Sequence, residues 1–264
     1  MSTTPPVRTV VVTESDGPGA RLAQQLAAAG VRVWIMPLVA HEANPDPEPL
    51  DAALARLREF DWVAFTSARA VDVVCGHRVW ERWPWDTASM PRVGAVGPVT
   101  KACLTKYGVP VAVCPAAPGA EGLASALIEV EGGGLAGRTV FWPRSNLARP
   151  DLREALVAAG ALVVDPVVYR TTAVRPPDLP EFLHDLVAGR VDAVTFLSPS
   201  SAENLAALME DGTLSVLAGR TVVASVGPTT SAALTKLGAP PTVEARDRTG
   251  GGLAAVLLSY VGLR

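Results

Sequence analysis

A chain that repeats itself at the length of a domain has few folds open to it. Val93-Gly94-Ala95-Val96-Gly97-Pro98-Val99-Thr100 returns 130 residues later as Val223-Ala224-Ser225-Val226-Gly227-Pro228-Thr229-Thr230. Arg8-Thr9-Val10 returns as Arg138-Thr139-Val140 at the same spacing, and Gly30 and Gly122 return as Gly160 and Gly252. Phe65-Thr66-Ser67 returns as Phe196-Leu197-Ser198 at a spacing of 131. The period is too long for a solenoid and is the size of a domain. The pattern predicts a tandem duplication, two halves of similar fold facing each other.

Each copy of the Gly-Pro unit is a short apolar run, a tight turn, and a Thr that opens an alanine-rich segment. That order reads as a buried strand leading into a helix N-terminus. Proline suits the first helical turn, where an N–H would have no partner. Free backbone N–H groups at such a turn can hold an anion.

The same alternation runs through the chain. In the first half, strands are expected over 7–13, 31–40 (bent at Pro37), 61–65 and 109–114. Helices are expected over 21–29, 50–60, from about Ala70, over 99–107 and over 120–130, with Asp16-Gly17-Pro18-Gly19 a plain turn. In the second half, strands are expected over 139–143, 161–170, 191–197, 221–226 and 241–245. Its helices are expected over 150–159, 180–188, 200–209, 229–237 and 250–260. Glu131-Gly132-Gly133-Gly134 between the halves reads as a flexible joint. Strands alternating with helices through short loops predict an α/β fold with parallel sheets covered on both faces. Ligands of such sheets bind outside the carboxyl ends of the strands.

With 264 residues, 49% of them hydrophobic and 19% charged, the chain can bury two modest cores or one large one. A net charge of −3 with no Lys/Arg block argues against nucleic acid as partner. No basic leader and no apolar run of membrane length is evident, so a cytoplasmic protein with no membrane partner is expected. Cys75, Cys103 and Cys114 follow no metal-ligand spacing and read as small apolar fillers. His41, His77 and His184 stand apart in sequence, which gives no metal cluster and no His-based triad. No phosphate loop or dinucleotide fingerprint occurs, and no cofactor is implied. Trp80, Trp83 and Trp85 read as packing around a helix end rather than a stacking platform.

The polar residues of interest all lie at strand-to-helix turns. Ser67 and Ser198 are equivalent, as are Thr100 and Thr230. Taken singly each reads as a helix cap; taken together, four such turns could line a cleft between the halves. Where the repeat breaks its own symmetry function is more exposed, because a duplicated core needs the same residues twice. Arg69 stands where the second half has Ser200, Tyr169 where the first has Val39, and Arg144 where the first has Glu14.

Phe65-Thr66-Ser67-Ala68-Arg69-Ala70-Val71, Val96-Gly97-Pro98, Val168-Tyr169-Arg170-Thr171, Phe196-Leu197-Ser198-Pro199-Ser200 and Val226-Gly227-Pro228-Thr229-Thr230 occur in this order. Together they resemble the uroporphyrinogen-III synthase family, from about residue 7 to the C-terminus. The resemblance implies two flavodoxin-like domains joined by a two-stranded linker. One would comprise 1–39 with 171–264 and the other 40–170. It implies a cofactor-free monomer that converts hydroxymethylbilane, a linear tetrapyrrole, into the cyclic type III isomer with loss of water. By motif, Tyr169 is implied as proton donor to the departing hydroxyl. Thr66, Ser67, Arg69, Gly97, Thr100, Ser198, Pro199, Ser200, Gly227, Thr229 and Thr230 are implied to bind the acetate and propionate arms. The chain departs from the family at Thr13-Glu14-Ser15, where Thr-Arg-Pro is common. Glu14 should then point away or forfeit a contact, with Arg144 supplying charge from the other half. The other reading left open is a non-catalytic two-domain module that closes on a small anionic ligand.

Overall fold

The computed structural model of the chain describes residues 8–80, 85, 89–117 and 119–260. The first half begins with β1 (Thr9–Val12), α1 (Gly17–Ala28), β2 (Arg32–Ile35) and β3 (Val39–Ala43). It goes on through α2 (Glu48–Ala55), β4 (Trp62–Phe65), α3 (Ala68–Cys75), β5 (Arg92–Ala95), α4 (Pro98–Lys106) and α5 (Ala120–Val130). The second half opens with β6 (Thr139–Phe141), β7 (Arg144–Ser145), α6 (Asp151–Ala158), β8 (Leu162–Val164) and β9 (Val167–Ala173). It ends with α7 (Leu179–Val187), β10 (Ala193–Phe196), α8 (Pro199–Ala207), β11 (Val222–Ser225), α9 (Pro228–Lys236), β12 (Val243–Glu244) and α10 (Gly250–Tyr260).

The chain divides into two compact units, Met1–Ala40 with Thr172–Arg264, and His41–Thr171. In the first unit the sheet is ordered β12-β11-β10-β1-β2 and every pairing is parallel. Counting β1 as the first strand, this is the doubly wound order 2-1-3-4-5. β1 shows why it can be central. Val10 and Val12 face a core with Leu22, Leu26, Leu253 and Leu257 of α1 and α10. Val11 faces the opposite core, with Phe182 of α7, Leu205 of α8 and Leu234 of α9. A strand covered on both faces must be apolar at every position, as Val10-Val11-Val12 is.

The second unit has the sheet β5-β4-β6-β8, again parallel, with a bridge from Gly94 to Val113 beyond β5. Val63, Phe65 and Phe141 pack under α2, α3 and α4. Trp62, Ala64 and Val140 pack under α5 and α6. Counting β6 as the first strand restores the same order. Each half of the sequence thus places its first strand, helix and second strand in the sheet that the other half completes. A matching latch holds both insertions. Asp192 accepts Arg8 Nη1 at 2.7 Å and Thr9 N–H at 2.8 Å. Asp61 accepts Arg138 Nη1 and Thr139 N–H, both at 2.8 Å.

Several expectations need correction. The strands expected over 31–40 and 161–170 are each two strands, because Pro37 and Pro166 offer no N–H to a ladder. The resulting β3 and β9 join β7 in a separate sheet ordered β3-β9-β7, and the breaks between units fall within β3 and β9. The strand expected over 109–114 reduces to the single bridge at Val113. Helix α1 begins at Gly17, so Gly17-Pro18-Gly19 is its first turn rather than a free loop. The helix expected over 50–60 runs over Glu48–Ala55 and gives way to a tight turn at Leu57–Glu59. Trp80 packs edge-on to Phe65 and lies 4.3 Å from Trp85, which is local packing; Trp83 lies outside the described residues, as does Val7.

Cys75, Cys103 and Cys114 form no disulfide. Cys75 is buried, and burial, with Cys103 and Asp72 nearby, pushes its thiol well above the ordinary range. Only the thiolate attacks. A thiol reagent should therefore label Cys103 and Cys114 first and Cys75 only on unfolding, as read by peptide mass spectrometry. Native labelling of Cys75 at the rate of the other two would contradict that burial.

Candidate functional site

In a doubly wound sheet the crevice for a ligand opens at the carboxyl ends of the strands, where the chain order reverses. That point lies between β4 and β6 in one unit and between β1 and β10 in the other. The residues that follow these strands meet across it in both units.

In the unit His41–Thr171, Thr66 Oγ1 accepts a hydrogen bond from Trp142 Nε1 at 3.0 Å. Ser67 is the N-cap of α3 and accepts from Ala70 N–H at 3.0 Å. Tyr169 reaches it from β9, its hydroxyl donating to Ser67 Oγ at 3.3 Å. Both lone pairs of that oxygen are then occupied, and the Ser67 O–H remains to donate outward. Tyr169 is half-buried, with the His41 ring edge-on at 6.1 Å. His41 Nδ1 lies 3.1 Å from Thr171 Oγ1, so this histidine, isolated in sequence, joins the tyrosine in space. Asn146 fixes β9 at that place, accepting from Thr171 N–H at 2.7 Å and donating to Thr171 O at 3.2 Å. Arg69 is half-buried on the first turn of α3. Arg144 is held by Asp165, Nε to Oδ2 at 2.8 Å, which leaves less of its charge for a ligand.

In the unit Met1–Ala40 with Thr172–Arg264, Ser198 caps α8 and accepts from Ser201 N–H at 3.3 Å. Its own hydrogen goes to Glu14 Oε1 at 2.7 Å, and Ser200 Oγ lies 3.5 Å away. Glu14 is 7% exposed, so it neither points to solvent nor stands open to an anion; it is spent on Ser198. The two equivalent serines are therefore polarised in opposite senses, Ser67 free to donate and Ser198 already donating. Pro199 occupies the first helical position of α8, where its missing N–H costs nothing.

The Gly-Pro units behave alike. Gly97 and Gly227 are extended, φ 178° and 167°, and each is followed by a proline that opens α4 or α9. Ser225 accepts from Gly227 N–H at 3.2 Å and donates to Gly227 O at 3.0 Å, which stiffens that turn. Thr100 and Thr230 are buried, 4% and 3% exposed, on the inner faces of their helices, whereas Thr229 is exposed. Among the described residues no group of three or more His, Cys, Asp or Glu could hold a metal ion. No described helix is long and apolar enough to cross a membrane.

The family model described as Uroporphyrinogen-III synthase HemD matches residues 20–255. The chain belongs to the uroporphyrinogen-III synthase family. A uroporphyrinogen-III synthase from Synechococcus elongatus is 29% identical over 253 residues, covering 93% of this chain and 92% of that protein. One from Chlorobaculum parvum is 27% identical over 237 residues, covering 88% and 90%. A crystal structure of a mutant uroporphyrinogen III synthase from Thermus thermophilus superposes with a TM-score of 0.66 at 20% identity, covering 98% of each chain. At that identity the likeness concerns the fold. Within the uroporphyrinogen-III synthase fold, Asn146 and Glu14 are parts of the candidate site that motif reasoning passed over or misjudged. Their partners are 25 and 184 residues away in sequence, and no local pattern signals either contact.

Proposed function

We propose that the chain is a cyclising hydro-lyase that converts hydroxymethylbilane into uroporphyrinogen III. The observation that supports this most is family membership over 20–255 together with the Tyr169–Ser67 hydrogen bond at a strand end. The substrate is an electron-rich chain of pyrroles that needs little covalent help. Its terminal hydroxyl takes a proton and leaves as water, giving an electrophilic methylene pyrrolenine. The last ring attacks through its substituted carbon, and the spiro intermediate fragments and recloses with that ring inverted. A proton lost as the pyrrole regains aromaticity balances the one donated.

In this reading the Tyr169 hydroxyl turns its hydrogen from Ser67 to the leaving group and donates the first proton, and the Ser67 O–H then donates to the phenol oxygen. The remaining work is conformational, to fold a floppy polyanion and exclude water. Hydroxyls and N–H groups at helix N-termini suit carboxylate arms. Thr66, Ser67, Arg69, Ser200 and Thr229 are the side chains we assign to the arms, with the N–H groups beyond Gly97 and Gly227; Ser198, its hydrogen held by Glu14, serves as the cap of α8. Pro199 opens α8, Thr100 and Thr230 pack inward under their helices rather than onto the arms, and Arg144 contributes what Asp165 leaves of its charge. The three cysteines form no disulfide, which suits a reducing compartment, and we place the enzyme in the cytoplasm as a monomer. The test is the rate at which hydroxymethylbilane disappears with and without protein, the product being oxidised to porphyrin for detection. Acceleration proportional to protein concentration is expected, and equal rates would contradict the assignment.

A further inference from the structure

Among the described residues Arg248 is the non-glycine residue with positive φ, 56°. That left-handed backbone crowds Cβ against the carbonyl oxygen, so glycine, asparagine or aspartate is usual there and arginine is not. The turn around it is closed from both sides. Asp247 Oδ1 accepts from Thr249 N–H at 3.1 Å and from its hydroxyl at 2.9 Å, and Thr249 Oγ1 accepts Gly252 N–H at 2.9 Å.

The bend decides where the arginine goes. A Cβ built on Gly227 would stand 3.3 Å from Arg248 Cγ and 3.7 Å from Cβ and Cδ, so the aliphatic stem lies along Gly227. Gly227 has extended backbone that any residue could adopt; a side chain there would press on Arg248 Cγ. The guanidinium itself is unspent. Arg248 is exposed and has no hydrogen bond or ion pair among the described residues, unlike Arg8, Arg92, Arg138 and Arg190. The carboxylates nearest in sequence are engaged elsewhere, Asp247 by Thr249 and Glu244 by Ser231. In the other half the position 130 earlier is Pro118, which carries no charge.

We propose that Arg248 is a specificity-determining residue that receives a carboxylate arm of the tetrapyrrole beside the Gly227–Thr229 turn. The proposal rests on the reaction assigned above. An exposed arginine ordinarily loses much side-chain freedom on binding; one whose stem is already laid along Gly227 loses less, and its planar fork matches a carboxylate.

The experiment measures two quantities on wild type and on Arg248→Ala, Arg248→Lys and Arg248→Gly. One is the Kd for uroporphyrin III, an octacarboxylate macrocycle, from quenching of its fluorescence; the other is the kcat and KM for hydroxymethylbilane. Arg248→Ala should raise Kd and KM by about 5- to 20-fold, the worth of a partly exposed charge-assisted hydrogen bond, with kcat nearly unchanged. Lysine should recover part of the loss, since it keeps charge without the fork. Arg248→Gly should lose affinity as alanine does while its melting midpoint holds or rises, because glycine relieves the left-handed backbone. Unchanged Kd and KM in Arg248→Ala would overturn the proposal, as would an affinity loss that appears only with a fall in midpoint. A wild type that binds uroporphyrin III without converting hydroxymethylbilane refutes the reaction alone, and Arg248 is then judged on Kd. A wild type that does neither refutes both.

Discussion

Tyr169→Phe should lower kcat for hydroxymethylbilane by about 100-fold, the lower range of what a positioned general acid contributes. KM should move little, because the ring and its contact with His41 are retained. The fold should hold, since the one bond removed is the 3.3 Å contact with Ser67, and a net hydrogen bond is worth roughly 1 kcal/mol. Steady-state kinetics beside a thermal melt separates the two effects. Ser67→Ala is the informative companion. It keeps the phenol but deletes both its anchor and the N-cap of α3, so it should cost about 1 kcal/mol of stability and some turnover. Wild-type turnover in Tyr169→Phe would remove the phenol from the chemistry and leave the proton to solvent or to another group.

The second large effect is on stability. Phe65→Ala should destabilise its unit by about 3–5 kcal/mol, a large share of the ~5–15 kcal/mol that holds a typical domain together. Phe65 is 0% exposed at the end of β4, in a core with Phe141 and edge-on to Trp80. The next two residues are Thr66 and Ser67, so the same substitution should also loosen the site. Denaturant unfolding checks the first part, and a loss below about 1 kcal/mol would mean the core collapses around the gap.

What was legible in the chain was local. Gly97-Pro98 and Gly227-Pro228 each encode the end of a strand and the start of a helix, and α4 and α9 begin there. Gly30 and Gly160 close helices through left-handed backbone, φ 81° and 97°, where a side chain would be strained. A repeat of such signals made the α/β class readable from one sequence. Helical phase carries a further signal. Thr100 and Leu104, like Thr230 and Leu234, are four residues apart and buried together, so those threonines turn inward while Thr229 does not.

The rest depended on contacts that no neighbouring residue announces. Glu14 looked like a carboxylate facing an anion, yet it is buried as the partner of Ser198. His41 looked solitary and lies against Tyr169, because β3 and β9 are neighbours in a sheet that two prolines split from longer strands. Arg248 sits in a conformation that its residue type disfavours, so propensity argues against the arrangement that occurs. Arg144 broke the symmetry of the repeat, as a functional residue would, and Asp165 accounts for part of that difference. Strand and helix periods are written within a few residues of where they act; Glu14, His41 and Arg144 depend on the finished sheet.

The most direct measurement is the isomer composition of the porphyrin recovered after hydroxymethylbilane is incubated with the protein and the products are oxidised and separated. Uroporphyrin III in excess over the spontaneous type I isomer, the excess rising with protein, is the predicted result. Type I alone at every protein concentration would contradict it, whatever the protein binds.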